Sequence, residues 1–328
     1  MCGPIIKSVN KHLSITRSFR IDCRAFRVFN RHEKRATQLF GKLMIKKIFK
    51  MKKVQFVIAI SILLFSACKK DDVYNTDHPE HGKITLTTDW SQIGEGVTVP
   101  QTYVVRVNDY STTVSGHTNT IDNLFLPNTY NTYVYNIANK ITVSETTATL
   151  AVSNNIADPM PEWFFSSALS LTIEQDKDHH FTAIMQQQVR ELNFVITPSG
   201  GTPDRIESIT ATLSGVASSL DFANNAHSNA ASVVPVFTKQ DDGNWLATVR
   251  LLGITSNEQK LSLTIAFADN SPATINTEVD IHTELGDFNT DKRTPLTLGA
   301  QVVETSTEAG FAATITDWTE VTEQINVN

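Results

Sequence analysis

The chain has 328 residues, with 28 Lys and Arg against 34 Asp and Glu, and a formal net charge of −6. The charge is unevenly distributed, because residues 1–50 hold thirteen basic and two acidic residues, whereas residues 68–328 hold 13 basic and 32 acidic residues, a net of −19. Nucleic acids and anionic membrane surfaces require a basic footprint, so the acidic part of the chain excludes both as partners.

The basic segment 1–50 precedes a stretch with the features of an export signal, and it has no clear use in export. We interpret it as a spurious extension that results from a start codon assigned too far upstream, with Met44 or Met51 as the true start. The alternative is a basic arm that binds nucleic acid. An export signal contradicts that alternative, because the arm would need partners in the cytoplasm.

Residues 51–67 have the order of a secretory signal peptide. Two lysines precede the apolar run Val54–Phe65, and the small residues Ser66 and Ala67 follow it. The run is much shorter than the roughly 20 apolar residues that a membrane-spanning helix needs. We therefore expect this segment to be removed rather than retained as a membrane anchor.

The residues Leu64-Phe65-Ser66-Ala67-Cys68 resemble a bacterial lipobox, in which the cysteine is acylated and becomes the first residue of the mature protein. Lys69–Asp72 is similar to the charged tag that follows the acylated cysteine in surface-exported lipoproteins of the Bacteroidetes. The resemblance implies lipidation of Cys68 and an outward-facing protein. The alternative is an ordinary secreted protein with a spare thiol, and no disulfide framework is available because the other two cysteines lie in residues 1–50.

Residues 68–82 are polar and without periodicity, and they predict a flexible tether. His78 and His81 lie three residues apart in it. A flexible tether rarely preorganises a metal site, so we expect both histidines to be solvated.

The first strand pattern covers Lys83–Trp90, where Ile84, Leu86 and Trp90 share one parity and the intervening residues are polar. Strict alternation of this kind predicts a half-buried strand. Six further segments continue the pattern: 100–109, 111–124, 129–138, 141–152, 168–173 and 181–188. Between two of them, the segment 158–165 carries Trp163 and two other aromatic residues. It predicts either a loop packed on the sheets, which we favour, or an exposed binding patch.

From Leu192 a second set of strands begins, and the turn signal at 198–203 is expected to end its first member. No segment shows a 3.6-residue period over 12 or more residues. The sequence therefore predicts an all-β fold of two tandem β-sandwiches, 83–191 and 192–328. The further strands are centred on 209–213, 233–237, 245–251, 261–267, 275–281, 296–298 and 311–315.

Chemical motifs are nearly absent from the sequence. It contains no GxSxG, HExxH, GxxxxGK[ST] or GxGxxG pattern. Adjacent His179 and His180 point to opposite faces of a strand and cannot chelate well, and Asp241–Asn244 is more simply a β-turn than a calcium loop. We predict no enzyme, no cofactor and no metal site.

Several segments resemble fimbrial subunit lipoproteins of the Bacteroidales, and FimB-type anchor and accessory subunits in particular. They are KITLTTDWS (83–91), SGVASSLD (214–221), DFNTDKRTPLTL (287–298) and GFAATITDW (310–318). The resemblance implies two transthyretin-like, Greek-key sandwiches in a lipidated, surface-exposed pilus component of the outer membrane. It also implies assembly with other fimbrial subunits by donor-strand exchange.

A sheet with an open edge can accept a partner strand, which gives that assembly a physical basis. The candidate exchange segments are the first strand, with Ile84, Leu86 and Trp90, and the C-terminal strand, with Phe311, Ala313 and Ile315. The alternative for each is pairing within its own domain.

The leading hypothesis is a non-enzymatic fimbrial anchor or accessory subunit that supports adhesion. Fimbrillins of the resembled family are cleaved after an arginine, and this chain has no arginine between Cys68 and Arg106. That absence fits a subunit that keeps its lipid anchor. The alternative hypothesis is a surface lipoprotein that binds host or bacterial glycans through Trp163.

Overall fold

The computed structural model describes residues 73–200, 205–255, 258–307 and 310–321. The predicted extension 1–50, the signal peptide 51–67 and Cys68 lie outside these residues, so their assignments stay predictions. The all-β prediction is confirmed, because the described residues form strands and one short 3-10 turn, Ala268–Asn270. Within the same ranges, no helix has the length and apolar character needed to cross a membrane.

The strands follow one another with short connections, as the two-residue periodicity predicts. In chain order they are β1 Gly82–Gln92, β2 Thr102–Val107, β3 Tyr110–Ser115, β4 Thr118–Phe125, β5 Asn128–Tyr135, β6 Ile141–Ser144, β7 Thr147–Leu150, β8 Val152–Ser153, β9 Ile156–Ala157, β10 Phe165–Ile173, β11 Lys177–Gln187, β12 Arg190–Gly200, β13 Ile206–Asp221, β14 Ala226–Val233, β15 Thr238–Lys239, β16 Trp245–Leu251, β17 Lys260–Phe267, β18 Ile275–Asp280, β19 Leu296–Thr307, β20 Gly310–Ile315 and β21 Thr319–Glu320.

The first sheet has the order β3-β2-β5-β10-β11-β1-β4 and curls around its own apolar core. Ile84 and Leu86 of β1 are buried in that core, as the alternation predicts. The two edge strands, β3 and β4, meet through an edge-to-face contact between Tyr110 and Phe125, whose ring centroids are 5.8 Å apart. The sheet therefore curls far enough to bring one end of each edge strand into contact.

The second and third sheets form a sandwich around a larger core. The second has the order β15-β16-β12-β19-β20, and the third has the order β18-β17-β13-β14-β9-β8, with β6 and β7 beside β13. The long strand β13 is irregular at Gly215, which has a φ of +74°. A Cβ atom there would lie 2.6 Å from the carbonyl oxygen of Glu258, so only glycine fits without a shift.

Several strands that precede the predicted boundary at residue 191 belong to the third sheet or pack against the second core. Strands β6 to β9 belong to the third sheet, although they precede β10 and β11 of the first sheet. Strand β5 faces both cores, because Val134 lies in the first core while Tyr133 and Tyr135 pack against the second. Both tyrosines contact Phe222, with ring centroids 6.1 and 5.9 Å away. Residues 73–328 belong to one unit, and the division into 83–191 and 192–328 stays a prediction.

The segment 75–81 is packed on the β10–β11 hairpin, so the expectation of solvated histidines is wrong for His78. That residue is 6 % exposed, and its Nε2 lies 3.0 Å from Oδ1 of Asp178. The Asp176 carboxylate accepts hydrogen bonds from the backbone amides of Asn75 and Thr76, at 2.7 and 2.8 Å. We call residues 75–81 the strap. Its sequence shows no periodicity because the strap is held by side chains about 100 residues away.

The sequence predicts turns at 241–244 and at 198–203. The predicted β-turn at 241–244 is present, with Gly243 at a φ of +87° and the Asn244 amide donating to Asp242 Oδ1 at 2.9 Å. The turn signal at 198–203 is expected to end β12, and β12 does end within that segment, at Gly200, after pairing parallel with β19. Residues 201–204 lie outside the described residues.

Candidate functional site

Strand β20, which contains the candidate exchange residues Phe311, Ala313 and Ile315, forms one edge of the second sheet. It pairs antiparallel with β19, and no strand of the described residues pairs with its other side. The three candidate side chains are half-buried, whereas the intervening Ala312 and Thr314 are exposed. Such an edge presents unpaired backbone N–H and C=O groups, to which a strand of another chain can add.

The guanidinium of Arg205 covers the ring of Phe311. The Arg205 Cζ atom lies 3.7 Å from the ring centroid, and Nη1 donates to the carbonyl oxygen of Ser271 at 2.9 Å. A cation–π contact at a partly exposed site contributes about 0.5–1 kcal/mol. This contact holds the start of β20 with modest strength.

Glu304 lies on β19 opposite Ala313 of β20 and is 5 % exposed. Neither of its carboxylate oxygens hydrogen-bonds to any of the described residues. A buried polar group without a hydrogen-bond partner carries a desolvation cost. The β19–β20 ladder therefore contains an acceptor group that a donor from outside the described residues would stabilise.

The side chain of Trp318 is buried in the sandwich and holds the end of the C-terminal segment in place. It is 3 % exposed, and its ring meets Phe194 edge to face, with centroids 5.5 Å apart and an interplanar angle of 83°. The short strand β21 that follows pairs with Gly299 on β19. A Cβ atom on Gly299 would lie 2.7 Å from a methyl carbon of Val321, so the glycine permits this close approach.

The other candidate segment, β1, is an interior strand. It runs parallel to β11 on one side and antiparallel to β4 on the other. Its Trp90 is half-buried and meets Phe165 edge to face, with centroids 5.5 Å apart and an interplanar angle of 81°. Trp90 lies in TTDWS (87–91) and Trp318 in the similar segment ITDWT (315–319), and each ring meets a phenylalanine edge to face near a strand end.

Trp163 packs between the two cores, and its neighbours Phe164 and Phe165 are fully buried. The guanidinium of Arg250 lies over the indole, with Cζ 4.3 Å from the ring centroid. That cation occupies one ring face on which a sugar would stack. The prediction that the segment 158–165 packs on the sheets is confirmed for Phe164 and Phe165. The role of Trp163 as a glycan platform stays a prediction.

The loop 285–295, which carries the motif DFNTDKRTP, is held against β12 by the side chain of Arg190. The Arg190 side chain donates to the carbonyl oxygens of Thr294 at 2.7 Å and Phe288 at 3.0 Å, and its Cζ lies 5.0 Å from the Phe288 ring centroid. Burial lowers the pKa of Arg190 from its ordinary value. The guanidinium still supplies several donors to one loop, a role that no sequence motif indicates because the partners are about 100 residues apart.

A polar cavity lies beside this loop, and sequence reasoning missed it. Its volume is about 320 Å³. The buried Lys292 lines it, and burial lowers the pKa of that lysine to about 8. Lys292 Nζ lies 3.2 Å from Nε2 of His227, whose pKa is lowered to about 4 by burial first and then by the charge of Lys292. His227 is therefore neutral at pH 7 and accepts a hydrogen bond from the ammonium.

The described residues contain no group of three or more His, Cys, Asp or Glu side chains that could hold a metal ion. His179 stacks on Phe181, with ring centroids 5.7 Å apart, and its Nε2 accepts a hydrogen bond from the Glu174 amide at 2.9 Å. That nitrogen is thus engaged within the hairpin.

Comparison with protein families assigns the chain. Residues 82–324 match the family model of fimbrillin-A associated anchor proteins Mfa1 and Mfa2. The chain belongs to this family. The match covers most of both sets of strands and includes β20, so the anchor-family assignment rests on the described sheets. It confirms the resemblance to Bacteroidales fimbrial anchor subunits. A comparison with curated protein sequences finds no match.

Solved structures resemble this member of the anchor family in fold. A candidate adhesin from Bacteroides ovatus matches with a TM-score of 0.53 and 9% identity over 74% of this chain and 96% of that one. A second candidate adhesin, from Bacteroides thetaiotaomicron, matches with a TM-score of 0.50 and 13% identity over 74% and 98%. The fimbrial anchor protein Mfa2 from Porphyromonas gingivalis matches with a TM-score of 0.47 and 13% identity over 72% and 97%. The first two likenesses support the β-sandwich fold.

Proposed function

We propose that this chain is a surface-exposed lipoprotein, attached to the outer membrane through Cys68, that acts as an anchor or accessory subunit of a fimbrium and supports adhesion. Its partners are other fimbrial subunits, which it joins by β-strand exchange at β20. The observation that carries the proposal is the open edge of β20 in a chain of the fimbrial anchor family. No catalytic role is part of it.

The two candidate segments differ in what their release would break. Removing β1 would break ladders with both β11 and β4 and expose Ile84 and Leu86. Removing β20 breaks a single ladder, with β19, and exposes side chains that are only half-buried. Of the two segments, β20 is the less tightly held and also has a free side that a partner strand can join, whereas β1 is best regarded as a permanent part of its sheet.

The surroundings of β20 support the same choice. Glu304, opposite Ala313, is buried without a hydrogen-bond donor among the described residues. A partner strand with a basic or amide side chain would supply that donor, and charge-assisted hydrogen bonds are about twice as strong as neutral ones. The partner thus gains pairing energy from the backbone and specificity from this carboxylate.

The test of strand exchange is Thr314→Lys, which places a charge on the exposed face of β20. Lysine on an edge strand discourages pairing with another chain and leaves the subunit's own fold intact. We expect loss of co-purification with fimbrial subunits from the native host and an unchanged melting temperature. The matched control is Thr113→Lys on β3, an exposed position on the edge strand of the first sheet. Wild-type recovery of partners with Thr314→Lys would rule out exchange at this edge.

The test of the lipid anchor is Cys68→Ala. A single acyl chain gives only marginal membrane binding, so stable attachment requires more than one chain at this residue. The variant is expected to appear in soluble fractions, whereas the wild-type protein incorporates a labelled fatty acid and stays with the membrane. Wild-type protein that remains unlabelled would contradict the lipidation of Cys68.

A further inference from the structure

The cavity beside the loop 285–295 is lined entirely by polar side chains. Small-molecule sites of about 300–1,000 Å³ are usually mostly apolar, with a few placed polar groups. This cavity, at about 320 Å³, has the size of such a site, but the residues that line it are polar rather than apolar. The lining residues are Gln92, Gln186, Gln187, Gln188, Asn225, Asn289, Thr290, Asp291, Lys292 and Arg293.

Lys292 is the buried charge of the cavity, with 8 % of its surface exposed. Its ammonium contacts two neutral acceptors, Gln188 Oε1 at 3.1 Å and His227 Nε2 at 3.2 Å. An ammonium has three donors, and among the described residues no carboxylate forms an ion pair with this one. A buried ammonium without an anion is costly, so the site stabilises an anion that enters it.

Neighbouring residues hold Lys292 and its hydrogen-bond acceptors in position. A Cβ atom on Gly253 would lie 2.3 Å from the His227 ring and 2.5 Å from Asn289 Oδ1, so the glycine lets both side chains approach the cavity wall. Asn289 in turn bonds both the amide and the carbonyl of Ile254, each at 2.9 Å. The lysine and its acceptors are therefore held in place before any ligand binds.

The remaining charges leave the cavity with one net positive charge. Asp291 accepts hydrogen bonds from the backbone amide of Arg293 at 3.0 Å and from Thr294 Oγ1 at 2.9 Å. Its carboxylate also lies 3.5 Å from the Arg293 guanidinium. Lys292 and Arg293 together exceed Asp291 by one charge, which matches a monoanion better than a doubly charged phosphate.

We propose that this cavity binds an acidic sugar, with the carboxylate on Lys292 and the hydroxyl groups on the surrounding side-chain amides. The amides of glutamine and asparagine offer both donors and acceptors, as sugar hydroxyls do. A peptide terminus would bring apolar side chains, whereas every residue that lines this cavity is polar or charged. The site goes beyond the anchor role and is separate from β20.

The experiment is a saturation-transfer NMR titration of the purified chain with glucuronic acid, with glucose, acetate and inorganic phosphate as comparison ligands. We expect saturable binding of glucuronic acid and at least tenfold weaker binding of the other three. Loss of a charge-assisted hydrogen bond costs about 1.5–3 kcal/mol, which corresponds to tenfold or more in affinity. Lys292→Met should therefore weaken glucuronic acid binding at least tenfold.

Two further variants separate loss of the site from loss of the fold. Asn225→Asp adds a negative charge to the exposed rim with little change of shape, and its φ of +51° suits both residue types. It should also weaken binding. Lys177→Met, which removes a lysine from the distant β10–β11 hairpin, should bind as wild type. Absence of glucuronic acid binding to the wild-type chain, equal binding of acetate or phosphate, or undiminished binding by Lys292→Met would each overturn the proposal. None of these results depends on strand exchange at β20.

Discussion

Replacing Trp318 by alanine tests whether the C-terminal segment is fastened within its own sandwich. Truncation of a buried aromatic residue to alanine costs about 3–5 kcal/mol. The indole Nε1 of Trp318 has no hydrogen-bond partner among the described residues, and removing such a donor restores about 1 kcal/mol. The net expected loss is about 2–4 kcal/mol, which corresponds to a fall in melting temperature of about 10 °C for a chain of this size.

The assay is thermal unfolding followed by far-ultraviolet circular dichroism. Trp318→Phe is the first comparison, because it keeps a ring against Phe194 and removes the unsatisfied N–H, and its expected loss is about 1 kcal/mol. Trp90→Ala is the second, because Trp90 has the same edge-to-face contact but is only half-buried. Its expected loss is about 1–2 kcal/mol. A melting temperature for Trp318→Ala within about 2 °C of wild type would refute the reasoning.

Two further substitutions test the loop, and a change of pH tests the strap formed by residues 75–81. Arg190→Lys should destabilise the chain by about 2–4 kcal/mol in urea unfolding, because a lysine cannot serve all the carbonyl groups that the guanidinium reaches; an unchanged midpoint would contradict this. Gly94→Ala should lower the melting temperature, because its Cβ would lie 2.5 Å from the carbonyl oxygen of Arg293; wild-type stability would show that the loop can move aside. The bond to the His81 carbonyl and the bond to Asp178 raise the pKa of His78 above its ordinary value, so the strap should be fully docked below pH 6.5 and loosen as the pH rises through that raised value. Amide exchange of residues 75–81 at pH 6 and pH 8 measures this, and equal protection at both values would be evidence against it.

The strands were predictable because one face of each is buried, which gives a two-residue period that the sequence displays directly. Ile84 and Leu86 in β1 are examples, since both are fully buried as their parity predicts. Strand β5 was harder to interpret, because Val134 and Tyr133 each face a different core and both faces carry large apolar residues. Periodicity alone cannot show that a strand lies between two cores.

The parts that could not be predicted depend on contacts between residues far apart in the sequence. His78 belongs to a polar segment that has no pattern, and its burial depends on Asp178 about 100 residues later. The cavity around Lys292 likewise combines residues from four separate segments between Gln92 and Arg293. The motif 287–298 was visible as a family resemblance, but its physical role emerges only from its contacts with Arg190.

The parallel pairing of β1 with β11 has a mechanical consequence. A pull on the chain before Val73 passes through the strap and reaches β1 at its N-terminal end, Gly82. The opposing load arrives from the second core through β12, which follows the C-terminal end of β11. Because the two strands are parallel, these forces act at opposite ends of the shared ladder. The ladder is then loaded in shear, so its hydrogen bonds resist together and do not open one after another. This geometry suits the proposed function, in which the chain would carry tension between a lipid anchor and a fimbrium.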